Sequence, residues 1–205
     1  MDTAILIIRV AFGLAMAAHG AAKLFRFAGH GLKATGGMFE MTGFRPGVPF
    51  AAAAGLTEFG GGVLVALGLF TPLGAAGIVS TMIVAMMSMH IKNGFFAVNN
   101  GIELPFLYAI AALAIAFSGG GAFSLDAVLG LGFLHEAHVV IGALVLAVFG
   151  AVYTEFASRH RLCSIEVLNA SAPVGAVYDR AYFAIAKPPL RERTGAKREP
   201  DRAKH

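Results

Sequence analysis

The sequence predicts an all-α integral membrane protein, with a four-helix transmembrane bundle, a fifth C-terminal span and a basic tail. Three observations carry this. The chain is 57% hydrophobic and only 14% charged, against roughly 45–50% and about 25% in soluble domains. Its apolar residues fall in separate blocks, several of them close to the ~20 residues that one bilayer crossing needs. Lys and Arg fall on alternate connections between those blocks, as the positive-inside rule requires of an odd number of spans.

The first span covers residues 4–25 and carries Arg9, His19 and Lys23. Ala15 and Ala17 would suit a signal-peptide cleavage site. However, Asp2 stands at the amino end and no basic residue precedes Arg9, so the segment is expected to remain as a span. Residues 26–49 form a glycine-rich connection, with a short interfacial helix over 32–41 that Pro46 and Pro49 separate from the next span. The second span is 51–70, followed by a tight turn at Thr71-Pro72-Leu73-Gly74. The third, 73–90, offers Gly74, Gly77, Ser80 and Thr81 as small contact residues. Its Met82, Met86 and Met89 read as adaptable packing rather than ligands. After a loop over 93–101, Asn100 and Glu103 have the spacing of a capping box, and Pro105 suits a first helical turn. The fourth span, 105–118, is short and ends at Gly119-Gly120-Gly121. A fifth covers 139–156. Beyond it, Val174, Val177, Tyr178, Ala181, Tyr182 and Ile185 share one helical face, which suggests a helix lying on the membrane surface. The organisation is thus a membrane domain over 1–130, an added span over 131–157 and a partly disordered tail over 158–205.

The formal charge of +4 resides in the tail, where seven Lys or Arg face three acids from Lys187 onward. Such a tail suits solvent or anionic headgroups, so the partner implied is the lipid bilayer and not nucleic acid. By alternation, Arg26, Lys33, Arg45, Lys92, Arg159 and Arg161 share one side with that tail. This side is expected to be cytoplasmic in a membrane of the bacterial inner-membrane type, with the N-terminus outside. Cys163 is the single cysteine, so this chain holds no internal disulfide, dithiol relay or multi-cysteine metal site.

Glu58 stands inside the second span with Gly55, Gly61 and Gly62 on its face. A carboxylate there needs a partner. At 1.5 Å per residue it lies about 10 Å from the inner helix end, level with His19 at about 9 Å, and Lys23 is one turn below. His90 closes the third span and Glu103 opens the fourth at the same end. His19, Lys23, Glu58, His90 and Glu103 are therefore the candidate binding residues, with Glu58, His19 and His90 the candidates for chemistry. Glu58 is expected to pair with His19 or Lys23, and a Glu58–His19 pair would share or exchange a proton. Arg9 and Asp126 form a structural polar pair near the opposite face. No close spacing of His or carboxylate residues indicates a metal site.

Several motifs together resemble the DoxX family. They are Arg9…His19-Gly20…Lys23-Leu24, then Glu58-Phe59-Gly60-Gly61…Leu67-Gly68…Thr71, then His90, then Gly101-Ile102-Glu103. Gly119-Gly120-Gly121-Ala122-Phe123-Ser124-Leu125-Asp126 completes the series, and the resemblance extends from residue 4 to about residue 130. It implies a four-helix membrane bundle, in a superfamily that includes a subunit of a thiosulfate:quinone oxidoreductase. On that resemblance the expected function is a quinone-linked, redox-associated subunit. A membrane quinone would meet His19 or His90, Glu58 would exchange protons, and electrons would come from a soluble or membrane redox partner. The competing expectation is a non-catalytic membrane adaptor that recruits a partner through the fifth span and tail. Either is compatible with an oligomer.

Overall fold

The computed structural model describes residues 1–169, with side-chain surroundings described as far as Ser158. The surface helix and the disordered tail expected beyond residue 169 lie outside the described residues. Helices α1 (Asp2–Leu24), α3 (Gly47–Leu67), α4 (Thr71–Ala85) and α5 (Glu103–Ser118) form the bundle; α2 (Gly31–Met41) and α7 (Ala137–Asn169) pack around it. No strand occurs among the described residues. Helix α1 packs on α3, α3 on α4, α4 on α5, and α5 returns to α1, which closes the ring.

Among the described residues, four helical stretches are long and apolar enough to cross a membrane: Asp2–Leu24, Gly47–Leu67, Thr71–Asn93 and Ala137–Ser158. Helix α5 is the short one, at 16 residues. At 1.5 Å per residue it covers about 24 Å, less than a ~30 Å hydrocarbon core. The expected fourth span is thus shorter than a full crossing. Its buried Ala109, Ala112, Ile115 and Ala116 face the bundle nonetheless.

Helix α1 meets α3 through bare backbone. A Cβ on Gly13 would lie 2.5 Å from the Gly62 carbonyl oxygen, and one on Gly20 would lie 2.3 Å from the Phe59 nitrogen. Glycine is required where two helix backbones approach so closely. Along this seam Arg9, Gly13, Met16 and Gly20 of α1 are all buried. The apolar core continues through Met16, Val65, Ile78, Ala112 and Ile115, and Val140 and Leu144 of α7 join it. Large apolar side chains such as Ile7, Leu14, Leu56, Leu146 and Phe149 point outward, as lipid-facing surface does.

Several boundaries differ from expectation. The tight turn expected at residues 71–74 lies at residues 68–70, and Thr71 already begins α4 with Pro72 in its first turn. Helix α3 begins at Gly47, earlier than residue 51, because Pro46 occupies its N-cap and Pro49 lies in the first turn, where its missing N–H costs nothing. The Glu40 carboxylate at the end of α2 accepts from Gly47 N at 3.0 Å and ties the two helices together. Asn100 does not cap α5. It adopts a left-handed turn (φ 59°), and Ile102 takes the N-cap. Glu103 still reaches back, but to Ala97 N at 2.7 Å, which staples the loop instead of closing a capping box. Helix α4 passes at Met86–His90 into one turn of π-helix, a local widening found frequently at functional sites.

Candidate functional site

Two polar centres sit in this bundle, one at each end. At the end where α3 turns into α4, buried Arg9 fans its guanidinium over backbone carbonyls. Nε donates to Gly120 O at 3.1 Å, Nη2 to Phe123 O at 2.6 Å, and Nη1 to Ala66 O and, at 3.5 Å, Val65 O. Asp126, 1% exposed, accepts from Phe70 N at 2.7 Å, Thr71 N at 3.0 Å and Thr71 Oγ1 at 2.8 Å. It therefore caps α4, where the helix dipole favours an anion. His135 Nε2 lies 3.2 Å from the same carboxylate.

The expected polar pair is thus a different object from a direct ion pair. Arg9 and Asp126 are close enough to interact electrostatically, yet their hydrogen bonds go chiefly to backbone groups of the two connections they join. The cause is local: the α3–α4 turn and the glycine segment 119–121 leave carbonyls and N–H groups that a bilayer core cannot solvate.

At the other end, Lys23 Nζ of α1 forms a salt bridge with Glu58 Oε1 of α3. The Glu58 side chain is 2% exposed and that of Lys23 31%. Glu58 Oε2 is buried with no hydrogen-bond partner. The partner of Glu58 is Lys23, and the expected Glu58–His19 pair is not formed. His19 is as deep as Glu58 but points the other way, with its ring 5.7 Å from that of Tyr108 on α5. His90 and Glu103 are also held apart from Glu58. His90 Nδ1 lies 2.8 Å from Asn100 O, and Glu103 holds Ala97 as described. The five predicted residues therefore divide into the Lys23–Glu58 pair and three residues engaged elsewhere. Among the described residues no cluster of His, Cys, Asp and Glu could hold a metal ion.

Lys23 and Glu58 form part of the wall of a cavity of about 330 Å³ between α2, α3, α4 and α7. Its apolar lining includes Met38, Phe39, Phe44, Phe50, Val84 and Met89. Thr35, Thr57, Ser80, Thr81, Ser88 and Thr154 supply hydroxyls, and His30 stands at the edge. None of these hydroxyl residues, nor His30, belongs to the site expected from the sequence, where Ser80 and Thr81 figure only as small contact residues. The signal available for α4 was the spacing of Thr81, Val84, Ala85 and Ser88, which puts small and polar groups on one helical face. The contribution of α7 through Thr154 has no comparable signal. A ligand site of this kind is concave, largely apolar and provided with a few convergent polar groups.

Fold and site together define a polytopic helical membrane protein with a buried carboxylate in the wall of a cavity between its helices. More particularly, the chain belongs to the DoxX family, whose pattern matches residues 4–91. The matched stretch contains Arg9, His19, Lys23, Glu58 and His90. A protein of Haemophilus influenzae described as an uncharacterized protein is 37% identical over 111 residues, which is 53% of this chain and 77% of that one. No solved structure matches.

Proposed function

We propose that this protein is a redox-associated membrane subunit that holds a quinone-type ring in the cavity beside Lys23 and Glu58. The observation that supports this most is Glu58 Oε2, buried without a partner in the wall of a cavity large enough for a substituted ring. Intramembrane ionisable groups at cavities mark ligand and proton pathways. A bound quinone would supply the chemistry of taking up or releasing two electrons with two protons.

The chain's own residues have narrower tasks. Phe39, Phe44 and Phe50 contribute aromatic walls, and α2 separates the site from the surface. Glu58 presents an oxygen able to take a proton. The Lys23 ammonium balances its charge and leads toward the partly exposed rim. His19 and His90, the carbonyl partners expected from the sequence, do not line the cavity, so Lys23 and Ser80 take that task. With Cys163 as the single cysteine, electrons come from a soluble or membrane redox partner. From the distribution of Lys and Arg we assign the α2 end to the cytoplasmic side.

The test is to purify the protein in mild detergent, extract it with organic solvent and chromatograph the extract for quinone. Near-equimolar quinone is expected, with a strong loss in Ala54→Trp, which fills the cavity. Quinone-free protein from cells rich in quinone would remove this reading and leave the adaptor role.

A further inference from the structure

The donors and acceptors of the cavity wall are unequally distributed, and this says what kind of molecule fits. A hydroxyl carries one hydrogen and two lone pairs. Five of the hydroxyls lining the cavity spend that hydrogen on their own helix. Thr35 Oγ1 donates to Gly31 O at 2.9 Å, Thr57 Oγ1 to Ala53 O at 2.8 Å and Thr81 Oγ1 to Ile78 O at 2.9 Å. Ser88 Oγ donates to Val84 O at 2.7 Å and Thr154 Oγ1 to Gly150 O at 2.7 Å. What these groups present to the cavity is lone pairs. Glu58 Oε2 adds an acceptor of the strongest kind, buried and unpartnered. On the donor side stand Ser80, the rim residue His30 and Lys23, one of whose three N–H groups goes to Glu58 Oε1.

Charge narrows the class further. Lys23 and Glu58 cancel, so the wall has no net charge to attract an ion. A ring carbonyl pointed at Glu58 Oε2 sets lone pair against lone pair and leaves the carboxylate oxygen unsatisfied. An O–H in the same place makes a charge-assisted hydrogen bond, roughly twice as strong as a neutral one.

We infer that the cavity selects a neutral, ring-sized apolar molecule bearing an O–H donor, and hence binds a quinol in preference to the corresponding quinone. The second clause rests on the quinone reading above; the first does not.

The test compares two ligand pairs on the purified full-length protein in nanodiscs, by equilibrium binding under anaerobic conditions. One pair is 4-nonylphenol and its methyl ether, 4-nonylanisole, which differ by a single donor and undergo no redox change. The other is decylubiquinol and decylubiquinone. In each pair the donor-bearing member is expected to bind about tenfold to a hundredfold more tightly, the worth of one hydrogen bond to a charged group. In Glu58→Gln the amide can turn its N–H to a carbonyl, so both preferences should fall to within about threefold. The wild-type comparison stands even where that variant does not fold. An anisole or quinone that binds as tightly as its partner overturns the inference and leaves the quinone reading intact. Binding of the phenol with no binding of either decyl compound supports donor selection and removes the quinone. No binding of any of the four overturns both.

Discussion

Alanine at Gly62 and alanine at Gly60 should have opposite effects although they lie two residues apart on α3. A Cβ on Gly62 would lie 2.4 Å from Ala17 N and 2.5 Å from Gly13 O, both backbone atoms of α1. Backbone cannot rotate away, so α1 and α3 must part by at least about half an ångström along a seam where Gly13 and Gly20 are equally tight. Overpacking of this kind costs about 1–3 kcal/mol. A Cβ on Gly60 meets nothing within 4 Å. There the substitution only removes the helix penalty of glycine, a gain of about 0.5–1 kcal/mol. For a chain of this size each kcal/mol moves the melting temperature by about 2–4 °C. Gly62→Ala should therefore melt some 2–12 °C lower than wild type and Gly60→Ala about 1–4 °C higher. Fluorescence-detected size exclusion after heating in detergent reads both. Equal melting of the two variants, or the reverse order, would refute the claim that bare backbone contact holds α1 on α3.

Arg9→Lys should lose about 2 kcal/mol or more and lower the amount of protein in the membrane, because an ammonium cannot reach the carbonyls spanned by the guanidinium fork; membrane abundance by quantitative blotting checks this. Asp126→Asn turns an amide donor toward Phe70 N or Thr71 N and should cost about 2 kcal/mol, seen as a lower melting temperature. Lys23→Met and Glu58→Gln should each destabilise by about 1–3 kcal/mol, and the double variant by less than their sum, since each single change leaves the other member unpaired. An additive double variant would deny the coupling. On the assigned orientation, a C-terminal protease-sensitive tag should survive protease added to intact spheroplasts, and its cleavage there would reverse the assignment.

The class of fold was legible in the residues alone. Apolar blocks of spanning length admit few structures other than helices, because a bilayer core solvates no free backbone. The glycine face of α3 followed from helical spacing, which is local. Depth was also legible, since rise per residue is constant, and it put Glu58 level with His19 and Lys23 one turn below, within reach of a long side chain.

Direction around the helix axis was not. His19 and Gly20 are neighbours, yet at 3.6 residues per turn they point about 100° apart. Which side faces α3 is decided by where the glycine seam closes, and it turns Gly20 inward and His19 toward Tyr108. Arg9 and Asp126 looked like opposite charges that should meet. The fold has them serve unsatisfied backbone at two turns, whose positions depend on how α3, α4 and α6 (Leu125–Val128) assemble. The cavity is the clearest case. Its walls run from Lys23 to Thr154, and no local pattern says that α7 closes a space opened by α2, α3 and α4. The sequence by itself determined which helices form and which residues are too polar to face lipid, because those depend on transfer energies of single residues. Only the tertiary structure decided which of these residues share a space and which lone pairs are left over, because that depends on the rotation of each helix against its neighbours.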